Sequence, residues 1–419
     1  YVVYSRNPCH ADLHVGNYRV HYATSGEAVT ILEFDSKSYR PSTLIDLYDA
    51  CRLVDKLDYI HQFGQTVIPT EISDLDEHDY NVAYALVSAT EKPFEMTFNR
   101  AKNIKGALEL FDIVLGGEGR FSKKPFCTFG GCPIVSPLRF AKENLDVLVE
   151  TSRLGLINDI AIAPQAGATA PVTLAGTLAQ VTAEGLACLA VVNFIRPGCP
   201  MSFAIWPFIS DLRTGSFSGG SGEEALIVAA AVQIGKFYDL PTTVPSCMTD
   251  SKIPDAQAGY EKGISAILAG LAGGNRILES AGMLGSLMGC SFEALVIDNE
   301  MLGSIQRVIR GIEVTEETLS VKEIKEVALG EGHYLGHKQT LEHMQSEFLY
   351  PKLADRTPPG EWEENGSKDI FDRAHETVCK ILSSYYPNHI STKIDKEIRD
   401  KFPILLSLNS MKPNDRWVC

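Results

Sequence analysis

The segment "PTTVPSCMTDSKIPDAQAGYEKG", Pro241 to Gly263, changes character twice in 23 residues. A short β-rich apolar run ends at Cys247. Thr249, Asp250, Ser251 and Lys252 follow in a row, and small residues then resume helical spacing from Asp255. Strand, polar loop, helix is the repeating unit of a parallel α/β fold. Similar short runs recur as "IHQFGQTVIP", "PFEMTFN", "PFCTFGG", "DIAIAPQAG", "SFAIWPF", "RILESAG" and "ALVIDNE". Between them lie helical stretches such as "PLRFAKENLDVLVETSRLG" and "EEALIVAAAVQIGKFYDL". Eight strands predict a (β/α)8 TIM barrel. An open doubly wound sheet fits less well, because no glycine fingerprint follows the first strand.

Outside that repeat the pattern differs. "YVVYSR", "YRVHYAT" and "AVTILEF" predict a small antiparallel β element over residues 1–40. The barrel is assigned to 41–315, and 316–419 to a charged, helical C-terminal region packed on it. The strands should end near Pro69, Asn99, Gly131, Gln165, Pro207, Cys247, Gly282 and Glu300, all at one mouth. Side chains just beyond strand C-termini gather there, which explains the polar run after Cys247.

The 419 residues, 45% of them hydrophobic, suffice for a large core. A formal charge of −15 argues against nucleic-acid or anionic-membrane partners. No unbroken run of about 18 apolar residues is evident, so no membrane span is expected. Ten scattered cysteines without a C-x-x-C motif suggest reduced, cytoplasmic thiols. The first residues lack the zones of a signal peptide, and the absence of an initial Met suggests that the natural protein extends further.

Several motifs have plain structural readings. "GGSGEEA" satisfies G-x-G-x-x-A from Gly220 but follows no strand directly, and reads as a helix start. "ADLHVG" offers Asp12 and His14 in hairpin-like sequence, a poor match to a corrinoid-ligating histidine motif. "GHYLGHKQTLEHM" carries His333, His337 and His343, but Gly332 and Gly336 disfavour the helix that metal spacing needs, so no metal site is assigned. Cys127 and Cys132 fit no zinc spacing. Aromatics near strand ends, Phe98, Phe126, Phe129, Trp206 and Phe208 among them, are either packing residues or walls of a cage for a cation.

Taken together, "GATAPVTLAG", "DLRTG", "TDSKIPDAQAGYEK", "EALVIDNEMLG", "RGIEV" and "GHYLGH…TLEHM" resemble the trimethylamine methyltransferase family, in order, from about Val20 to Tyr386. The resemblance implies a barrel and a reaction: methyl transfer from a methylated amine to the cobalt of cobalamin on a separate corrinoid protein. The founding branch carries pyrrolysine just ahead of its T-D-x-K motif, a position matched here by Cys247 or Met248. With an ordinary residue there, the chain resembles the branch acting on quaternary amines, glycine betaine favoured. Proline betaine, carnitine, another methylated onium and a non-catalytic betaine-binding role are the alternatives. A quaternary ammonium is already charged and needs no activating electrophile, so positioning and electrostatics carry the work. The resemblance also implies a homo-oligomer. Trp206, Phe203 and Tyr334 are the expected cation cage, and His333 or Gln165 the carboxylate anchor. Phe203 and Trp206 lie three apart and cannot both face inward on an ideal strand. Asp250 and Lys252 are assigned as the catalytic pair, or else as a salt bridge ordering the rim.

Overall fold

The computed structural model describes residues 1–418. Its centre is a ring of parallel segments: β1 (His21–Tyr22), β2 (Phe63–Gly64), β3 (Phe94–Thr97), β4 (Cys127–Gly131), β5 (Asn158–Ile160), β6 (201–205), β7 (Thr243–Pro245) and β8 (Arg276–Leu278). Neighbours pair in that order. β2 to β5 form a continuous ladder; single bridges Asn158↔Met201, Ile162↔Ile205 and Phe203↔Thr242 carry the ring through β6. β7 pairs β8, β8 pairs β1, and Ala23↔Gln62 returns to β2. This is a TIM-barrel-like α/β fold. Each segment leads to a helix: α1 (Leu44–Val54), α2 (Leu75–Ala89), α3 (Ile104–Val114), α4 (Lys142–Leu154), α5 (Leu174–Ile195), α6 (Gly222–Phe237), α7 (Ala256–Leu271) and α8 (Phe292–Arg310).

The sixth of these segments is held by single bridges only, and the ring differs from the expected set of strands at both ends. "YRVHYAT" supplies β1, parallel to β8, and does not belong to an antiparallel sheet. "ALVIDNE" is no strand, so Glu300 marks no strand end; it lies within α8, which Ser291 caps through the Ala294 N–H. Phe292, Leu295, Val296, Leu302 and Ile305 are buried along it, a helical stripe in which the run at Leu295–Ile297 is one turn. Antiparallel pairs do occur around Val2–Val3 with Leu13–His14, and around Thr30–Leu32 with Tyr39–Pro41.

Alternation along the strands sorts residues to two sides. Tyr22, Phe63, Phe94, Phe203, Val244 and Ile277 point outward into the main core beneath the helices. The inward side is partly ionic. Arg276, fully buried, holds Glu95 at 2.7 Å and Gln62 at 2.9 Å, and pairs with Asp159. Ser202 donates to the same Asp159. Strands β3, β5, β6 and β8 are thereby tied across the barrel floor.

α5 is a further departure from expectation, being long and apolar enough by composition to cross a membrane. It packs in the ring between α4 and α6, with Thr177, Val181, Glu184, Gly185, Cys188 and Val192 on its buried face. Glu184 accepts from Ser136 Oγ and the Leu138 N–H, both at 2.8 Å. One stripe is thus committed to the barrel and the other is uncovered.

Beyond α8 come α9 (Val321–Leu329), α10 (Lys338–Glu347), α11 (Pro359–Glu364), α12 (Ile370–Ser384) and α13 (Thr392–Lys401). α12 packs on α8 and α1 through Phe371, Ala374, Val378 and Leu382. Arg52 Nη1 meets the carbonyls of Leu382 and Tyr385 at 2.8 and 2.6 Å, answering the helix C-terminus with a cation. α9 buries only Val327, and α10 and α11 bury nothing.

Candidate active site

At the C-terminal end of the barrel an apolar cluster joins Ala23, Ala161, Ala204, Trp206, Phe208, Met248 and Leu278, contributed by the ends of β1, β5, β6, β7 and β8. Ala204, Trp206 and Phe208 lie two apart and share the inward side, as period two requires. Trp206 is 7% exposed, and its indole N–H donates to the Thr243 carbonyl at 3.2 Å. Phe208 stands beside it (6.3 Å between ring centroids) and packs on Phe217 at 4.5 Å. The three rings make one aromatic wall.

Phe203 is on the opposite side of the strand. A Cβ added at Gly185 of α5 would touch its ring, which also meets Tyr238, so it is core and leaves the expected cage. Phe98, Phe126 and Phe129 likewise belong to the main core.

Of the two residues ahead of "TDSK", Met248 joins the apolar cluster at the mouth. Cys247 has φ 67°, which turns it into the main core, and its N–H donates to Ser265 Oγ at 2.9 Å. Burial pushes its thiol well above the ordinary range. The left-handed turn at Cys247 is what brings Met248 round to the mouth.

Asp250 and Lys252 do not form a pair. Asp250 accepts from Ser218 Oγ (2.6 Å), Ser286 Oγ (2.5 Å) and the Gly219 N–H (2.9 Å), so it ties the loops after β6, β7 and β8 together. The exposed Lys252 ammonium donates to the Asp250 carbonyl at 2.6 Å. Glu261 accepts from Thr249 Oγ1 and the Asp250 N–H at 2.5 and 2.9 Å, while Lys262 pairs with Asp298 at 2.5 Å. Most polar groups of "TDSKIPDAQAGYEK" therefore hold the rim in shape. "GGSGEE" belongs to the same device, with Ser221 capping α6.

Gln165 lies at the rim beyond β5, where Ser210 Oγ donates to its Oε1 at 3.2 Å. His333 and Tyr334 are elsewhere. Both are exposed in the turn between α9 and α10, where Glu331 is 4.0 Å from His333 and the Tyr334 ring faces His337. The structure does not bring them to the mouth. Among the described residues no group of three or more His, Cys, Asp or Glu side chains is arranged to hold a metal. His14 is exposed on the Leu13–His14 strand.

The expected residue set omits the acids. Glu27 beyond β1, half-buried, and Glu224 in the first turn of α6 and Glu279 beyond β8, both buried, lie near one another at the mouth, above Glu95 of the barrel floor. Thr97 Oγ1 donates to Glu27 at 2.6 Å, and Arg276 answers Glu95. Burial raises the pKa of all four, Glu279 to about 8 with help from Glu95 and Glu27. For Glu95 and Glu279 a signal existed: "PFEMTFN" and "RILESAG", like "NDIAIA" with Asp159, carry charges inside runs that otherwise read as buried strand. Charges there need partners across the interior.

The barrel's mouth is thus acidic and walled by aromatic rings. The trimethylamine methyltransferase (MTTB) family model matches residues 1–402, and the chain belongs to that family of methyltransferases. It is 31% identical over 398 residues to trimethylamine methyltransferase MttB of Desulfitobacterium hafniense, covering 95% of this chain and 79% of the relative. The MttB of Methanosarcina thermophila is 32% identical over 384 residues, 91% and 79% of the two chains. The glycine betaine methyltransferase of D. hafniense is 30% identical over 400 residues, 95% and 82%. A solved dihydropteroate synthetase aligns over 74% of this chain and all of its own at 13% identity, with a TM-score of 0.43, too slight a likeness to weigh on fold or function.

Proposed function

We propose that this methyltransferase moves a methyl group from a quaternary ammonium to cobalamin carried by a partner corrinoid protein. The corrinoid supplies cobalt(I), a strong nucleophile. As the methyl carbon passes to it, the C–N electron pair stays on nitrogen and a neutral amine leaves. The chain's own part is to hold the cation against Trp206 and Phe208, exclude water and keep the rim open to the partner.

The observation that carries this reading is Met248. It occupies the inward position ahead of "TDSK", and a thioether cannot activate a tertiary amine by electrophilic addition. A substrate that arrives already quaternary needs no such group. The test is methylation of cob(I)alamin by the purified chain with a panel of quaternary amines and trimethylamine. Quaternary amines should react, and trimethylamine at a matching rate would end the assignment.

Within the quaternary class the sequence favours glycine betaine. Of the two anchors considered for its carboxylate, His333 is remote, while Gln165 at the rim accepts from Ser210 through Oε1 and keeps its amide NH2 as a donor.

Self-association belongs to the same proposal, through the region from Ile312 to Phe348. Ile312, Leu329 and Leu335 are over 80% exposed, and α10 buries no residue against its own chain. A second copy covering this face is the simplest occupant for so much uncovered hydrocarbon. Leu329→Glu with Leu335→Glu should lower the molar mass read by light scattering. An unchanged mass would remove this face from the interface.

A further inference from the structure

The mouth holds more acid than its own cations answer. Arg276 is committed to Glu95, Asp159 and Gln62 on the barrel floor. At the rim, Lys252 sits on its own loop carbonyl and Arg213 is closed on Asp211 at 2.7 Å. Glu95 and Glu27 have their partners, as described. Glu279 and Glu224 do not: they are 2% and 1% exposed, and neither Glu279 Oε2 nor either carboxyl oxygen of Glu224 makes a hydrogen bond. A buried carboxyl oxygen left unanswered costs about 1–3 kcal/mol, more when ionised. The charged and titratable groups facing Glu279 are Glu27, Glu95, Glu224 and the Cys132 thiol, all of them acidic.

Its backbone has φ 61°, the left-handed region that a glutamate rarely adopts. That turn breaks the alternation of β8, so Glu279 follows Leu278 into the mouth instead of facing the helices. Leu278 itself packs with Trp206 and Met248. The unanswered carboxyl thus follows directly in the chain on a residue of the cluster that holds the aromatic wall. An anion on one side and ring faces on the other suit a methylated ammonium, which attracts both without donating a hydrogen bond.

We propose that Glu279 is the counter-charge for the substrate's ammonium group, and that the mouth selects methylated ammonium ions with no carboxylate over zwitterionic betaines. This rests on the methylated-ammonium reading above and narrows it. A betaine's carboxylate entering the same space would meet Glu27, Glu224 and Glu279, with the buried Arg276 already held by Glu95 and Asp159 and Lys252 exposed out at the rim. A tail that is neutral, or a plain methyl group, meets no such repulsion.

The experiment is calorimetric titration of the full chain with tetramethylammonium and with glycine betaine, for wild type and Glu279→Gln. Wild type should bind tetramethylammonium at least about tenfold more tightly, and Glu279→Gln should erase most of that ratio, about 1.4 kcal/mol for each factor of ten. Equal ratios in the two proteins, or tighter betaine binding by wild type, would overturn the assignment. Circular dichroism checks that the variant folds. If it does not, the wild type alone still decides: titration in two buffers of different ionisation heat should reveal proton release on binding tetramethylammonium at neutral pH, and no release would count against Glu279. Methyl transfer from quaternary amines with an unchanged ratio defeats only this inference. Failure to bind or demethylate any of them defeats the proposed function as well.

Discussion

The barrel interior and the stretch from Ile312 to Phe348 depart from the usual distribution of residues in opposite directions. The interior takes Arg276, Glu95, Asp159 and Glu279 out of water; the stretch leaves Leu329 81% and Leu335 84% exposed. In the first, buried charges answer one another across four strands, while the carboxyls of Glu279 and Glu224 above them are left over. In the second, amphipathic helices have a polar side in solvent and an apolar side with nothing of their own chain to cover it. The two patterns call for different partners: a small cation in one case, a large apolar surface in the other. A residue type that suits a site, such as the His333–Tyr334 pair, counts only where the fold puts it.

The sharpest break in this comparison is at the barrel floor. Arg276→Met removes the guanidinium and leaves Glu95 and Asp159 buried and unpaired. Breaking a buried ion pair from one side costs about 3–5 kcal/mol, a large share of the stability of a domain. Urea denaturation should register that loss, or the variant should fail to fold. A midpoint within error of wild type would mean that the floor is far more hydrated than its burial indicates.

Next in size is pH. The ionised form of Glu279 is the one that attracts a cation, and its folded pKa is raised to about 8 by burial and by Glu95 and Glu27. Below that value the carboxyl is mostly protonated, so affinity for tetramethylammonium should fall as pH drops, by at most about tenfold per pH unit for a single proton. It should level off above about 8. Glu27 and Glu95 also have raised values and bear on the same curve, so Glu279→Gln should flatten the fall near neutral pH in particular. A flat wild-type profile from pH 6 to 9 would contradict the role given to this group.

The aromatic wall comes third. Trp206→Leu keeps an apolar body at the mouth and removes the ring face. A cation over an aromatic ring gains about 0.5–2 kcal/mol, so affinity should drop roughly 2- to 30-fold. Phe203→Leu is the internal control: Phe203 lies on the other side of the same strand, and its loss should lower stability while leaving the affinity of the folded protein unchanged. Equal effects of the two on binding would erase the distinction between inward and outward positions.

That distinction marks how far the residues alone could be read. Seven of the eight strand segments were legible, because period-two alternation and flanking turn residues fix them locally. β1 was not, since "YRVHYAT" pairs with β8 about 250 residues away and only that pairing tells it from its hairpin neighbours. "ALVIDNE" misled because one apolar turn of α8 matches a short buried strand until the stripe continues to Leu302 and Ile305. At the site, alternation told that Phe203 and Trp206 face opposite sides, but not which of them faces the mouth. The choice between Cys247 and Met248 was not legible, and neither was the direction of Glu279. Both turn on a positive φ at a residue other than glycine, which no spacing rule announces.

The smallest expected effect tests the other half of the comparison. His333 and Tyr334 were the most inviting polar and aromatic groups of the C-terminal region, and in the structure both lie exposed in the turn between α9 and α10. They touch their own turn, Glu331 and His337, and no residue of the mouth. His333→Ala with Tyr334→Ala should therefore leave the affinity for tetramethylammonium within about twofold of wild type, less than about 0.5 kcal/mol. Measuring it at a dilution where light scattering shows single chains, and again where it shows assemblies, separates two sources of any larger change. A loss seen only in the assembly would mean that this turn reaches the mouth of a neighbouring copy, and the site would then be shared between chains. A loss seen in single chains would mean that the region folds back onto its own barrel in solution, and the separation between mouth and lobe drawn above would fail.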